Sequence, residues 1–149
     1  MCGIAGIILK QHTEFNLSDK LNQLSKALKH RGPDGEGFIL SGNKTEAYYA
    51  DFRTYKRVEL SYIPQKHLPV QDTDSKIGFL HRRLAIIDLS DTGHQPMCDQ
   101  TEKIWITYNG EIYNYIELRL DLQNKGHSFV SESDTEVILA AYKEWGTAC

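Results

Sequence analysis

The sequence lacks the features that mark membrane-spanning, secreted and disulfide-stapled proteins. No apolar run approaches the ~20 residues that a membrane-spanning helix needs. The N-terminus has no basic region followed by an apolar stretch and a cleavage site, so it is not a secretory signal. Three cysteines, Cys2, Cys98 and Cys149, are too few and too widely spaced for a disulfide framework. These absences predict a cytoplasmic protein with no membrane partner.

A large excess of one charge is also missing. The net charge of the 149-residue chain is −3, which does not favour nucleic acid as a partner. The six histidines show neither the i, i+4 helical pair nor the CxxC neighbours that zinc sites use, so we predict no metal. An apolar content of 40% and this length predict one domain with its own core.

Apolar patterning in the N-terminal part predicts strands beside one helix. Residues 2–9 form an apolar run that predicts a buried strand. Ser18 is suited to cap a helix over 19–29, where leucines recur at helical spacing. Three glycines and a proline predict a loop over 30–37, before a short strand near 37–40.

The stretch 44–76 interleaves aromatic and basic residues. Rings beside cations can hold a single-stranded nucleic acid, which is one interpretation. The other is a hairpin with a solvated basic face, and the acidic total charge favours it. The residues concerned are Tyr48, Tyr49, Phe52, Arg53, Tyr55, Lys56, Arg57 and Tyr62.

Residues 77–87 predict one long strand, or two joined ones, that contains Arg82 and Arg83. Because buried cations are costly, we expect an anionic partner for at least one of these arginines. A further strand is predicted over 104–108, where it ends in Asn109-Gly110-Glu111.

The last part of the chain predicts two helices. Residues 115–125 alternate like a strand, but their composition and the following Gly126 favour a helix. A short strand is predicted over 127–130. Residues 133–136 (SDTE) form a capping box, and the helix that they open has an apolar face. That face comprises Val137, Ile138, Ala141, Tyr142 and Trp145.

The second residue is a candidate nucleophile. If Met1 is removed, Cys2 carries both a thiol and a free α-amine, which together supply a nucleophile and its base. An α-amine titrates near ~7.7 and a lysine near ~10.4, so the α-amine is the better base at neutral pH. The alternative is that Cys2 is a small apolar residue at the start of a buried strand.

Five stretches, taken in order, resemble the class II (N-terminal nucleophile) glutamine amidotransferase domain, specifically that of the glutamine-hydrolysing asparagine synthetase family. They run across nearly the whole chain, so the resemblance does not depend on one motif. The stretches are MCGIAGI (1–7), HRGPDGEG (30–37), HRRLAIIDLSDTGHQPM (81–97), YNGEIYNY (108–115) and SDTEVIL (133–139).

The resemblance implies a role for each matching residue. Cys2 would attack the side-chain amide of L-glutamine, while Asn109 and Gly110 form the oxyanion hole. Arg83 would bind the α-carboxylate and Asp134 the α-ammonium group. Taken singly, each residue also has a structural interpretation. Arg83 could pair with a core acid, Asn109-Gly110 could form a tight turn, and Asp134 could be a first-turn helix acid.

Further positions follow from the same resemblance. Ile86, Ile87 and Glu111 match positions that line the glutamine pocket. Arg31 and Asp34 match a loop that becomes ordered near it. Residues 41–76 are longer than the hairpin found there in the family, so their role is not carried over.

The implied fold is α+β, a four-layer αββα sandwich of the N-terminal nucleophile hydrolases, with residues 1–149 as one glutaminase domain. We expect the chain to be truncated at its C-terminus, without the remaining strands and the synthetase domain. ATP and Mg²⁺ would belong to that domain, because the chain has no GxxxxGK[ST] or SGGxDS-type loop and needs no cofactor itself. A homodimer is left open. The alternatives are a different ammonia acceptor, or a non-catalytic binding module of the same fold.

Overall fold

The computed structural model describes residues 1–10, 15–51, 60–72 and 74–149. A five-stranded sheet, in the order β1-β5-β2-β3-β4, forms its N-terminal part. Its neighbours pair antiparallel, apart from the parallel pair β3 and β4. The strands are β1 (Gly3–Ile8), β2 (Gly35–Ser41), β3 (Thr45–Tyr49), β4 (Lys66–His67) and β5 (Ile77–Arg83).

One face of this sheet is covered by helix α1 (Leu17–Leu28). Leu17 and Leu21 are fully buried there against Phe38 and Leu80 of the sheet. A Cβ on Gly78 would lie only 2.5 Å from a methyl carbon of Leu21, so the helix approaches the sheet too closely for a side chain at that position.

The cap of this helix differs from the prediction. Asn16, not Ser18, is the N-cap, and its side chain accepts a hydrogen bond from the Asp19 amide at 3.2 Å. Ser18 is buried in the first turn and donates its hydroxyl hydrogen to the carbonyl oxygen of Pro69. The pattern could not separate two suitable caps because the distant Pro69 decides which of them is buried.

Strand β5 is shorter than the predicted 77–87, because its partners end. Arg82 pairs with Gly3, the first residue of β1, and Arg83 pairs with Gly35, the first residue of β2. Beyond Arg83 neither neighbour offers another backbone partner, and residues 84–87 leave the sheet. They thereby become part of a loop at the sheet edge.

The expected anionic partner exists for Arg82. Its guanidinium lies 2.6 Å from Glu36, and both side chains are buried. Ser25 donates to the same carboxylate at 2.9 Å, and Arg82 Nε donates to the Gly32 carbonyl oxygen at 3.2 Å. Charge and hydrogen bonds therefore compensate the burial of this cation.

The C-terminal part contains a two-stranded sheet and two helices: β6 (Met97–Cys98), β7 (Trp105–Ile106), α2 (Tyr115–Asn124) and α3 (Asp134–Trp145). Helix α3 packs on β6 through Leu139 and Met97, and on α2 through Val137 and Leu122. The strand predicted over 104–108 is only two residues long in the structure, whereas the helix predicted over 115–125 is confirmed.

Two details of this part correct the predictions. Residues 127–130 are irregular and not a strand, because the Val130 amide donates to the Glu136 carboxylate and not to a neighbouring strand. Ser133 does cap α3, accepting from the Thr135 amide at 3.1 Å. The reciprocal half of the capping box is missing, since Glu136 is held by residues 130–131. Within the predicted apolar face, Tyr142 is exposed.

The described part of the chain is thus a mixed α+β fold, as predicted at that level. The hairpin β2–β3 lies where the stretch 44–76 begins. Five of the aromatic and basic residues named for that stretch, which lie within 52–57, are outside the described residues. So is His12, one of the six histidines considered as metal ligands. Neither α1, α2 nor α3 has the length and apolar character required to cross a bilayer.

Candidate active site

A cavity of about 350 Å³ lies where the start of β1, the end of β5 and the N-terminus of α3 meet. Arg31 and Asp34, which were predicted to lie near the pocket, do not line it, whereas the eight other predicted site residues do, although they come from four separate stretches of the chain. They are Cys2, Arg83, Ile86, Ile87, Asn109, Gly110, Glu111 and Asp134.

Cys2 is held at this cavity by β5. Because Gly3 pairs with Arg82, the residue before β1 lies beside the segment that follows β5. Its sulfur accepts a hydrogen bond from the Leu84 amide at 3.3 Å and lies 3.6 Å from the Leu84 carbonyl oxygen. Cys2 is half-buried, while Met1 before it is 75% exposed. A thiol with one fixed contact and one open side can meet a ligand.

The same segment is held from the other side by residues 30–34, since the predicted loop over 30–37 already gives way to β2 at Gly35. Asp34 accepts a hydrogen bond from the Ala85 amide at 3.0 Å, and its own amide donates to the Arg83 carbonyl oxygen at 3.0 Å. A Cβ on Gly32 would overlap the Arg82 carbonyl, so only glycine permits this approach. The loop thereby fixes the backbone that contacts Cys2.

Arg83 faces the cavity with its charge uncompensated. Its guanidinium donates to the Ser90 carbonyl oxygen at 2.8 Å and to the Asp88 carbonyl oxygen. Within the described ranges, no carboxylate lies within ion-pair distance of it. Gly93 leaves room for the fork, because a Cβ there would lie 2.5 Å from Nη2. The arrangement suits an anionic ligand group.

The carboxylate of Asp88 is occupied elsewhere. Burial alone would raise its pKa, but hydrogen bonds from Ser90, Thr92 and the Glu132 amide outweigh burial and lower the pKa below its usual value. Asp88 therefore stays ionised and ties the loop after β5 to the segment before α3, without neutralising Arg83.

Asp134 supplies the acidic side of the cavity. It is the first residue of α3, only 5% exposed, and its carboxylate accepts a hydrogen bond from the Ile112 amide at 3.0 Å. Nearby, burial together with the charges of Asp134 and Glu111 raises the pKa of Tyr108. Cationic Arg83 and anionic Asp134 on one cavity match a ligand that carries both charges.

His81, Gln95 and Thr135 are among the cavity-lining residues that the sequence analysis missed. His81 is fully buried, and its Nδ1 lies 3.0 Å from the Thr107 hydroxyl. Burial, reinforced by the charge of Arg83, lowers the His81 pKa to about 3, so the ring is neutral near pH 7. His81 and Gln95 lie inside the motif HRRLAIIDLSDTGHQPM, but nothing in its letters assigns them a contact.

Within the ranges described above, no group of three His, Cys, Asp or Glu side chains is placed to hold a metal ion. Cys2, Cys98 and Cys149 are free thiols.

A thiol at the second residue, a cationic side and an anionic side thus share one cavity, which suits a small zwitterionic ligand. Residues 69–149 match the glutamine amidotransferase domain family. The chain belongs to this family. It is therefore a glutamine amidotransferase domain, as the motifs indicated.

Curated relatives carry a more specific name. Asparagine synthetase [glutamine-hydrolyzing] 2 of Bacillus subtilis is 36% identical over 151 residues, covering 98% of this chain and 15% of the relative. Asparagine synthetase [glutamine-hydrolyzing] 1 of the same organism is 53% identical over 72 residues, covering 48% of this chain and 11% of the relative. The corresponding protein 1 of Arabidopsis thaliana is 33% identical over 146 residues, covering 98% and 19%.

The chain spans a quarter or less of the length of the curated relatives that it matches. What it has in common with them is thus the amidotransferase domain.

Proposed function

We propose that the chain hydrolyses L-glutamine to L-glutamate and ammonia, with Cys2 as the nucleophile. The observation that carries this proposal is the single cavity on which Cys2, Arg83, Asp134 and Asn109-Gly110 meet. Its volume of about 350 Å³ accommodates a free amino acid.

The reaction proceeds through a thioester. After Met1 is removed, the α-amine of Cys2 takes the thiol proton and the sulfur attacks the side-chain amide carbon of glutamine. The C–N bond breaks as the amine returns a proton to the departing ammonia. Water then attacks the thioester, releases L-glutamate and restores the thiol. The contact between Leu84 N–H and Cys2 Sγ holds the sulfur in place.

Negative charge develops on the side-chain carbonyl oxygen of glutamine during the attack. Asn109 and Gly110, at the exposed end of the segment after β7, would stabilise it. The Asn109 side-chain NH₂ and the Gly110 amide would donate to the tetrahedral oxyanion. Donors of this kind are worth ~10²–10³ in rate each.

The two charged groups at the other end of glutamine select the substrate. Arg83 binds the α-carboxylate with its planar fork, and Asp134 binds the α-ammonium group. Ile86, Ile87 and Glu111 also line the cavity. The proposal therefore predicts that glutamine is preferred over amides that lack either charge.

The direct test replaces the nucleophile. Cys2→Ala should abolish glutamate release, whereas Cys149→Ala, which alters an exposed thiol, should leave it unchanged. Glutamate is measured by an enzyme-coupled assay, with the mass of the intact protein confirming that it begins at Cys2. Turnover by Cys2→Ala at the parental rate would refute the nucleophile.

We further propose that the ammonia converts L-aspartate to L-asparagine in a longer protein. The names and lengths of the curated relatives support this, since each is a glutamine-hydrolysing asparagine synthetase several times longer than the chain. ATP and Mg²⁺ would bind to the synthetase part, and the reaction would take place in the cytoplasm. In the full-length natural protein, asparagine should form from glutamine, aspartate and ATP. Transfer of glutamine nitrogen to another acceptor would favour the alternative function.

The finer fold is also a proposal: a four-layer αββα sandwich. The sheet face opposite α1 carries Ile4 and Ile8, which are 42% and 67% exposed, beside half-buried Ile77 and Phe79. A second sheet would bury this face. In the full-length protein Ile8→Lys should then lower the free energy of unfolding by about 1–3 kcal/mol. A neutral effect would argue against a covering layer.

A further inference from the structure

The Gln95 side chain connects the two halves of the cavity. Its Oε1 accepts a hydrogen bond from the Tyr108 amide at 2.7 Å, and its Nε2 donates to the Thr135 hydroxyl at 3.0 Å. Tyr108 directly precedes Asn109, and Thr135 directly follows Asp134. One amide thus joins the segment that carries the candidate oxyanion donors to the helix that carries the candidate ammonium site.

The orientation of this amide is determined by chemistry. A backbone N–H can only donate, so the atom that faces Tyr108 must be the oxygen. The Gln95 nitrogen is then left for Thr135, whose hydroxyl can accept. Both bonds are satisfied in only one of the two amide orientations, and Gln95 is only 8% exposed. Replacement of the side chain would leave buried polar groups without partners.

The backbone of Gln95 is held as tightly as its side chain. His94 and Pro96 on either side are buried, and Met97 continues into β6. A Cβ on Gly37 of β2 would overlap the Gln95 carbonyl oxygen and the His94 ring, so this segment lies directly against the main sheet. Gln95 is therefore held in a buried segment packed against β2 and is not an exposed surface residue.

The contact between Gln95 and Tyr108 also affects the position of Gly110. The Tyr108 side chain folds back on this glycine, since a Cβ on Gly110 would lie 2.5 Å from Tyr108 Cζ. A shift of the Tyr108 backbone would therefore displace the Gly110 amide. Misplacement of a catalytic group by about 1 Å can cost on the order of 10²-fold in rate.

We propose that Gln95 is a positioning residue that sets the Asn109-Gly110 donors in register with the N-terminus of α3. The inference rests on the proposed glutamine hydrolysis and adds a residue to it. Gln95 itself takes no proton and forms no bond with substrate. Its loss should lower kcat more than it raises KM, because the donors are needed most in the transition state.

The experiment compares Gln95→Leu with a pair of variants at its partner. In the full-length natural protein, Gln95→Leu should lower the kcat for glutamine hydrolysis by about tenfold or more, with a smaller change in KM. Thr135→Val removes the hydroxyl and should lower kcat less, while Thr135→Ser keeps the hydroxyl and should restore the parental kcat. The double variant Gln95→Leu/Thr135→Val should be no worse than Gln95→Leu alone.

A second measurement does not depend on turnover. Amide hydrogen exchange should become faster in the segment 107–111 of Gln95→Leu, while β2 and β5 keep their parental exchange. Unchanged hydrogen exchange in the segment 107–111 of Gln95→Leu would overturn the inference. So would losses of kcat and of thermal stability that are the same in Thr135→Ser as in Thr135→Val. Failure of the parental protein to hydrolyse glutamine would instead overturn the proposed function, and the exchange experiment would still decide the role of Gln95.

Discussion

Arg82 and Arg83 are neighbours on one strand, but they occupy opposite environments. The side chain of Arg82 lies between α1 and the sheet, where Glu36 neutralises it at 2.6 Å. Arg83 points to the other side, and among the described residues its hydrogen bonds go to backbone carbonyl oxygens of the following loop. A cation with a buried carboxylate partner serves the fold, whereas one that is held in place but not neutralised remains available to a ligand.

The largest expected effect is on the first of these arginines. Arg82→Met leaves Glu36 buried without its partner, so the free energy of unfolding should fall by about 3–5 kcal/mol. Urea denaturation monitored by circular dichroism measures the loss. Combining this change with Glu36→Gln removes the uncompensated charge and should recover part of the stability. If Arg82→Met alone were neutral, the pair would not contribute to the fold.

Arg83 should behave in the opposite way. Arg83→Met removes the proposed carboxylate partner, and kcat/KM for glutamine should fall by about 10²-fold, which is ~3 kcal/mol of binding. Arg83→Lys keeps the charge without the fork and should recover only part of the loss. Steady-state kinetics with a parallel urea titration separates the two effects. A larger loss of stability than of kcat/KM would remove the distinction between the two arginines.

The contrast between neighbours shows what a sequence can predict here. The pattern placed two arginines in one strand and required an acidic partner for at least one, but alternation alone does not say which side is the core. Glu36 and Arg82 lie on different strands, 46 positions apart, and their contact depends on the β2–β5 register. The motifs, by contrast, named eight residues that all line one cavity, because a family resemblance reflects the assembled site, whereas the roles of these residues remain predictions.

The missed features have a common cause. Asn16 displaces Ser18 as a cap because of Pro69, and Gln95 acquires its role from partners 13 and 40 positions away. Interactions of this kind depend on how separate elements come together, and local propensity contains no record of them. The predicted strand lengths were wrong for the same reason, since a strand such as β5 ends where its neighbours end.

Two buried histidines near Arg83 lead to a prediction about how stability depends on pH. Burial, with the cationic Arg83 in addition, lowers the pKa of His81 to about 3, and burial with the charges of His81 and Arg83 lowers that of His94 equally far. The unfolded chain binds these protons near pH ~6.5, so stability is complete above that pH and falls as the pH drops towards 3. At pH 5 each histidine should cost about 2 kcal/mol.

Urea titrations at pH 7.5 and pH 5 measure this loss. His94→Asn should lower the stability at pH 7.5 but reduce its dependence on pH. A stability that rises on acidification would contradict buried neutral histidines.

The smallest effect is expected from an ion pair that resembles Arg82–Glu36 only in distance. Lys66 and Glu46 lie 2.5 Å apart, but both side chains are largely exposed to solvent. Lys66→Met should therefore change the free energy of unfolding by less than about 1 kcal/mol, and less still at high salt. A loss comparable to that of Arg82→Met would mean that burial does not separate the two pairs.

The pairing of β1 with β5 makes the start of the chain intolerant of a change in spacing. Successive side chains of a strand alternate between its two faces, so if Cys2 kept its place after removal of Gly3, each following residue would take the position of the one before it and turn to the other face. Ile4 would then move to the side of α1, and Ala5 to the opposite face. If residues 4–8 instead kept their own partners on β5, Cys2 would take the place of Gly3 opposite Arg82, away from Leu84. A deletion of one codon would thus either turn the strand over or separate the sulfur from its pocket, without removing any of the residues that line the pocket.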